Sequence, residues 1–422
     1  MTLQTNVDAV PDEPIRRVLW RLAPMIYGPT VLFSIGEGAV LPVLPVLAAR
    51  LGADVPTAAV VASALVVGQL CGNLPAGAAV SRVGERATMA GAGVVAMAGA
   101  VGAALATTVW MLTLAMFVTG LCAAAFGLAR HSFMATRVPL GFRARALSLL
   151  GGSFRLGMFA GPFVAAGLLA LTGDERSTLW LFLGCLVAVV VLVLLGPDPE
   201  TRVAALPSSA SGDTGAVSLP ERAGVLVTMW RYRGVLARLG LAAAALAAVR
   251  SARQIVLPVW GVSIGLDASS IALAVGISGA VDFALFYASG QVMDRFGRLW
   301  AALPATVLMG AGFLALSFTH DLSDAAMWFT MLAAVLGIGN GLSSGILLTL
   351  GADIAPRDDP ASFLGSWRTL TDAGGALAPV LVAAIAAAGS LPLAVAVVGV
   401  LGLLGAAGFA RWVPRFVPRI RP

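Results

Sequence analysis

Seven ionisable residues interrupt stretches of this chain that are otherwise apolar: Glu37, Arg155, Arg250, Arg253, Asp282, Arg368 and Asp372. A carboxylate sheltered from water can take up and release a proton, and a guanidinium there can fix an anion or neutralise a carboxylate. Placing such a charge at the centre of an apolar helix costs about 2.5 to 3.5 kcal/mol, so each is a functional or pairing residue by default. Arg368 and Asp372 stand four apart, share a helix face and can pair. Four arginines against three acids leave no acidic excess, which weighs against a site for lipophilic cations alone. Neutral, zwitterionic and anionic ligands stay open.

Other chemistry is thin. All 27 basic residues are Arg, which removes a Schiff-base lysine and a phosphate-loop lysine. His131 and His320 lie on different segments, and Cys71, Cys122 and Cys185 sit in apolar runs without the short spacing of a metal or redox pair. No metal set and no nucleophile motif is visible. The reading is of a non-enzyme that uses neither metal nor organic cofactor.

The elements that must position these charges follow from composition. Of 422 residues 59% are apolar and 11% charged, with a mean hydropathy of +0.93. A soluble domain carries about 25% charged residues, so the excess apolar surface requires lipid. Twelve apolar segments are legible: 22–47, 57–80, 88–109, 110–134, 145–171, 178–196, 235–262, 269–293, 299–319, 325–351, 362–388 and 391–413. Each suits one crossing of about 20 residues. They fall as six, a polar linker over 197–232, and six, so the units are 1–196 and 233–422. Trp20, Trp110, Trp180, Trp230, Trp260, Trp300, Trp328 and Trp412 stand at segment ends, where indole favours the headgroup level.

Arginine placement sets orientation. With the N-terminus inside, inner loops and tails carry twenty arginines and outer loops two, Arg50 and Arg176. That asymmetry puts both termini in the cytoplasm and accounts for the net charge of +6 without nucleic acid. The remaining five arginines lie within segments, Arg130 towards the inner end of the fourth.

An offset of 213 residues relates the two units. Val43-Leu44-Pro45-Val46 recurs as Val256-Leu257-Pro258-Val259, and Gly52 and Asp54 recur as Gly265 and Asp267. Gly77, Arg82 and Gly84 fall on Gly290, Arg295 and Gly297, and Gly152, Ser153 and Arg155 on Gly365, Ser366 and Arg368. Parallel repeats of this kind build transporters whose site lies between the halves near the bilayer midplane.

The loop Gly290-x-x-x-Asp294-Arg295-x-Gly297-Arg298 resembles the signature of the major facilitator superfamily, and with twelve segments the resemblance covers essentially the whole chain. The first copy has Ser81 where the family has Asp. Gly157-x-x-x-Gly161-Pro162 in segment 5 is similar to the motif of the family's drug and proton antiporters, although Ser148 and Ala165-Ala166 depart from its longer form; close helix packing is the competing explanation. Segment 4 lacks the Arg that many proton-coupled exporters carry upstream of Gly120.

The resemblance implies an all-α membrane protein of twelve helices in two pseudo-symmetric halves, working by alternating access in the inner membrane as a monomer. Its partners would be a small molecule, protons and lipid, with the proton gradient as energy source. Segments 1 and 7 line the cavity in that family, and Glu37 plus the offset is Arg250. We therefore expect Glu37 to be the principal proton-titrating or cation-recognising group, tuned by Arg250 or Arg253. Asp282 is the expected partner of Arg155. The leading expectation is proton-coupled export of partly hydrophobic molecules; the alternative is proton symport of an organic anion or other small metabolite.

Overall fold

The computed structural model describes residues 26–137, 140–196, 229–356 and 360–417. The basic tail with Trp20 and most of the linker 197–232 lie outside the described residues.

Twelve spans cross the molecule in chain order: α1 (Gly28–Val40, continued after a 41° bend as Leu44–Arg50), α2 (Val55–Val83), α3 (Glu85–Ala104), α4 (Val109–Arg137), α5 (Leu140–Thr172), α6 (Arg176–Leu195), α7 (Leu241–Ser263), α8 (Ala268–Phe296), α9 (Arg298–Ser317), α10 (Ala325–Leu342, continued as Ile346–Ile354), α11 (Pro360–Ala388) and α12 (Leu391–Phe416). The described residues contain no strand. Lipid offers no partners to backbone polar groups, and helices satisfy them within each segment. The bend in α1 has a local cause: Pro45 lacks an N–H, and its ring displaces the carbonyl one turn before it.

The repeat is visible in the turns and the packing alike. Gly84 and Gly297 take φ of 83° and 93°, and Gly52 and Gly265 take 87° and 79°. These left-handed values suit glycine, which carries no Cβ, and allow α2 and α8 to give way to α3 and α9 within one residue. Asp54 and Asp267, also repeat mates, each accept backbone N–H bonds at a helix start, from Thr57 at 3.0 Å and from Ser269 at 3.0 Å. These bonds, with the side-chain hydroxyls of Thr57 and Ser270, hold both carboxyls below the usual Asp range. In the first half α1 packs on α5 and α6, α2 on α4, and α3 on α4 and α6; in the second α7 packs on α11 and α12, α8 on α10, and α9 on α10 and α12.

Each half has an aromatic core. Phe33 stacks on Phe126 at 5.1 Å and meets Phe182 edge-on at 5.8 Å. In the other half Phe313, Phe329, Phe363 and Phe409 are fully enclosed. Trp110, Trp230 and Trp300 are exposed, as interfacial residues are, but Trp260 is not. It is buried with its ring edge-on to His320 at 5.2 Å, because the loop following α9 folds over the end of α7.

The halves meet along two seams, α5 against α8 and α2 against α11, with α7 also touching α2. Towards the end that carries Gly52 and Gly265 both seams are closed: Ser269 Oγ donates to Ala166 O and Ser63 Oγ to Pro379 O, each at 3.4 Å. Ala166 and Pro379 are themselves repeat mates.

Candidate functional site

The charges of the C-terminal half converge. Asp282 on α8 is the centre: Oδ1 lies 3.2 Å from Arg155 Nη1 on α5, and Oδ2 lies 3.4 Å from Arg253 Nη2 on α7 and 2.6 Å from Asn340 Nδ2 on α10. Asn340 Oδ1 in turn accepts from Arg250 Nε at 3.0 Å, and Arg253 Nη1 donates to Ser278 Oγ at 2.7 Å. Arg253 Nε is buried without a hydrogen-bond partner. One carboxylate therefore faces three guanidiniums, leaving two positive charges in excess.

This cluster forms one wall of a cavity of about 180 Å³ between the halves, shared by α1, α5, α7, α8 and α10. The rest of the lining is largely apolar and includes Leu41, Met158, Phe159, Pro162, Leu257 and Phe283, with Gln254 the further polar residue. Phe159 and Phe283, one from each half, stack at 5.5 Å with their planes 7° apart, and the Arg155 guanidinium lies 4.7 Å over the Phe286 ring. Such a chamber, apolar with a few convergent polar groups, is the form small-molecule sites take. Its excess positive charge is complementary to an anion, and its aromatic wall to a flat apolar body.

Glu37 does not meet Arg250 or Arg253. It is buried in the N-terminal half, where Gln69 Nε2 donates to its Oε1 at 2.8 Å and Arg130 is its charged neighbour. Arg250 and Arg253 turn along α7 towards α8 and α10, while helical side chains lean towards the N-terminus of their own helix. Arg130 therefore reaches back along α4, its Nε 3.3 Å from Phe126 O and its guanidinium 4.6 Å from the Phe126 ring, which stacks on Phe33 of α1. A residue that the linear sequence places near the inner end of the segment thus acts at the depth of Glu37. Its Nη1 is buried without a hydrogen-bond partner.

The two clusters occupy equivalent places with the charges exchanged. Glu37, Gln69 and Arg130 in one half correspond, at the offset of 213, to Arg250, Asp282 and Ser343 in the other. Arg250 Nη1 lies 3.5 Å from Ser343 O, so the correspondence extends to contacts. The correspondence of Gln69 with Asp282 was available in the sequence through the repeat, and Asn340 was legible as a polar candidate for the pocket, whereas nothing local marked Ser278.

The other expected residues lie elsewhere. Arg368 and Asp372 pair at 3.5 Å on α11, both largely exposed and apart from the cavity wall. Gly157 and Gly161 pack on α1: an added Cβ would stand 2.7 Å from Val31 O or 2.5 Å from Ile35 O. At the Gly84 and Gly297 end, Arg298 holds Asp353 of α10 through Nε at 2.7 Å and donates to Met293 O at 3.2 Å, while Arg82, Asp294 and Arg295 are exposed. Ser81 turns onto its own helix, donating to Ala78 O at 3.0 Å. Gly290 has open space around it, and a Cβ added at Gly77 would make ordinary contact with the Leu128 side chain at 3.9 Å.

A family model described as Major Facilitator Superfamily matches residues 29–379. Among curated proteins, the 4-hydroxybenzoate transporter PcaK of Pseudomonas putida is 26% identical over 190 residues, 45% of this chain and 42% of that protein. An uncharacterised MFS-type transporter of Mycobacterium tuberculosis is 29% identical over 169 residues, 40% of this chain and 24% of its own. The matched stretches thus span less than half the length of these curated relatives. Among solved structures, a POT family transporter in complex with a thioalcohol-conjugated peptide aligns with a TM-score of 0.73 at 13% identity, over 95% of this chain and 97% of that one. A D-xylose-proton symporter aligns at 0.68 and 16% identity, over 95% and 98%. Both are likenesses of fold.

Proposed function

The chain belongs to the major facilitator superfamily and is a multi-pass secondary transporter; on that premise we propose that it carries a small organic anion with a flat or apolar body, coupled to protons. One observation carries this reading: three guanidiniums surround one carboxylate in the lining of a small chamber that is otherwise largely apolar and aromatic. Arg250 and Arg253 receive the anionic group, Arg155 adds its charge from the facing half, and the Phe159–Phe283 stack takes the body. Glu37, with Gln69 and Arg130, is the proton site, separated from the substrate by the boundary between the halves. Arginine placement along the chain supports cytoplasmic termini, so the seams are sealed on the outer side and the cavity is approached from within.

That a relative is named as a 4-hydroxybenzoate transporter supports the same class of substrate. Export of partly hydrophobic molecules is the second reading, favoured by the apolar wall and by the Gly157-Gly161-Pro162 motif. Packing against α1 already accounts for those glycines, and the positive excess opposes a cationic drug.

Purified protein in proteoliposomes with an imposed proton gradient separates the two. Labelled benzoate or 4-hydroxybenzoate should accumulate in the direction of proton movement and fail to do so when the gradient is collapsed. Movement of tetraphenylphosphonium against the proton flow, with no movement of either benzoate, would overturn the anion reading.

A further inference from the structure

The two seams between the halves are not closed to the same depth. Along α5 and α8, contact runs from Ser269 and Ala166 through the Phe159–Phe283 stack to the Arg155–Asp282 pair. From Ala166 to Arg155 is eleven residues of α5, or about 16 Å of helix. Along α2 and α11, the seam is closed at Ser63 and Pro379. Eleven residues from Pro379 stands Arg368, the repeat mate of Arg155, yet its side chain is 72% exposed and, among the described residues, pairs with Asp372 of its own helix at 3.5 Å. The mate of Asp282 across this seam is Gln69, already bonded to Glu37 at 2.8 Å.

Arg368 stands on the side of α11 that borders this seam and about 7 to 8 Å deeper than Gln69, which is six residues from Ser63 where Arg368 is eleven from Pro379. Arg368, Asp372, Gly375 and Pro379 recur at intervals of four, three and four, a single face of α11. That face touches α2 at Pro379, and an added Cβ at Gly375 would meet Ala247 O and Ser251 of α7. Arg368 thus stands on the face of α11 that borders α2 and α7. Glu37 is met by Gln69 from α2 and Arg130 from α4.

We propose that Arg368 is a positioning residue of the transport cycle: in the occluded state it leaves Asp372 and docks across the α2–α11 seam on the Glu37–Gln69 pair, closing that seam as Arg155 and Asp282 close the other. The inference rests on the reading of the chain as an alternating-access transporter. It gives the exchanged charges a use. In one half an acid on α8 receives the arginine of the facing half, and in the other the acid stands on α1 and is presented through Gln69. Asp372, which takes the place of Phe159 in the repeat, parks the arginine while the seam is open.

The test uses full-length protein in proteoliposomes, with Cys71, Cys122 and Cys185 replaced by Ala, and the pair Gln69→Cys with Arg368→Cys. Addition of a short bifunctional thiosulfonate should join the two, read by mass spectrometry of the digested protein and reversed on reduction; Arg155→Cys with Asp282→Cys, in contact in the structure, calibrates the reagent. If the calibrating pair links and the Gln69–Arg368 pair stays free between pH 5 and pH 8, with and without benzoate, the proposal is overturned. In parallel, Arg368→Gln should lower turnover at least tenfold while benzoate binding changes less than threefold, and Arg368→Lys should recover part of the rate. Wild-type turnover in Arg368→Gln, or equal loss of binding and turnover, would also overturn it. Cross-linking needs no substrate, so failure of benzoate to bind or move would count against the anion reading and leave this test standing.

Discussion

Replacing Asp282 by Asn should tighten anion binding while slowing transport, two effects of opposite sign from one change. Asp282 neutralises one of the three guanidiniums in the cavity wall, and it repels a second carboxylate bound to Arg250 or Arg253. A substrate carboxylate on the far side of one guanidinium would stand roughly 6 to 7 Å from Asp282. At an effective dielectric of about 20 to 40, between a protein surface and an open chamber, that repulsion amounts to about 1 to 3 kcal/mol. Its removal corresponds to a gain of about 5- to 100-fold in affinity, at about 1.4 kcal/mol for each factor of ten. Asn keeps the shape and still offers an oxygen to Arg155, but the charged clasp across the α5–α8 seam is lost. The cycle must also release a substrate that is now held too well.

Binding of benzoate by calorimetry on detergent-solubilised protein gives the first quantity, and exchange in proteoliposomes the second. Arg253→Gln serves as the opposite perturbation and should weaken binding by at least tenfold. The chamber is reached by water, the side chains of Arg155, Asp282 and Arg253 being 21%, 14% and 12% exposed, so the fold should survive either change. A folded Asp282→Asn protein that bound benzoate more weakly than the wild type would refute the reasoning, because Asp282 would then be organising the arginines for the substrate and not competing with it.

Glu37→Gln should abolish gradient-driven accumulation of benzoate while sparing exchange between equal concentrations; unchanged accumulation with an unchanged pH profile would remove Glu37 as the proton site. Gly161→Leu should lower the thermal midpoint markedly, since its side chain meets the α1 backbone at Ile35 and Ala39, and overpacking of that kind costs about 1 to 3 kcal/mol or more. A midpoint within a degree of wild type would show that α1 and α5 have room to part. Asp267→Ala should cost about 0.5 to 2 kcal/mol through loss of the α8 cap, read by thermal shift. Because the folded carboxyl is held below the usual Asp range, its contribution is complete above about pH 4 and fades as pH falls through the depressed value. Asp267→Asn, which keeps an acceptor without the charge, should lose that acid-side dependence, and an identical acid limb in both proteins would contradict the assignment.

The architecture was largely legible because membrane insertion imposes a coarse code. Apolar length marks spans, and a fixed offset marked the repeat down to the paired turn glycines and capping aspartates. Side-chain partnerships were less legible, and Arg130 shows why. Counting along the segment locates its Cα, whereas its action depends on a long side chain leaning one turn back along α4 and on an aromatic pair that draws α4 to α1. Arg250 was misassigned for the complementary reason: the repeat placed it opposite Glu37 in register, but register says nothing about which way α7 turns that face. Trp260 stands at a segment end and is nonetheless buried, because a loop distant in sequence covers it. Asn340 carried no signal beyond its polarity.

The exchange of charge between equivalent positions bears on how two ligands can share one two-fold scaffold. In an exactly symmetric pair of halves, both midplane clusters would have the same sign and would bind, or reject, the same species. With an acid at position 37 and a base at its mate, 250, one half offers a carboxylate to a proton and the other offers guanidiniums to an anion. The two sites then do not compete, yet both lie beside seams that must open and close together as the halves rock. A carboxylate bound at Arg250 and Arg253 reduces the positive excess in its half, whereas a proton bound to Glu37 leaves Arg130 without its counter-charge. On the proposed roles, the state carrying both has the same summed charge as the empty protein, whereas a proton alone adds one positive charge and an anion alone removes one, so each ligand favours the other. That difference, and not direct contact between proton and substrate, is a sufficient physical basis for coupling their movement.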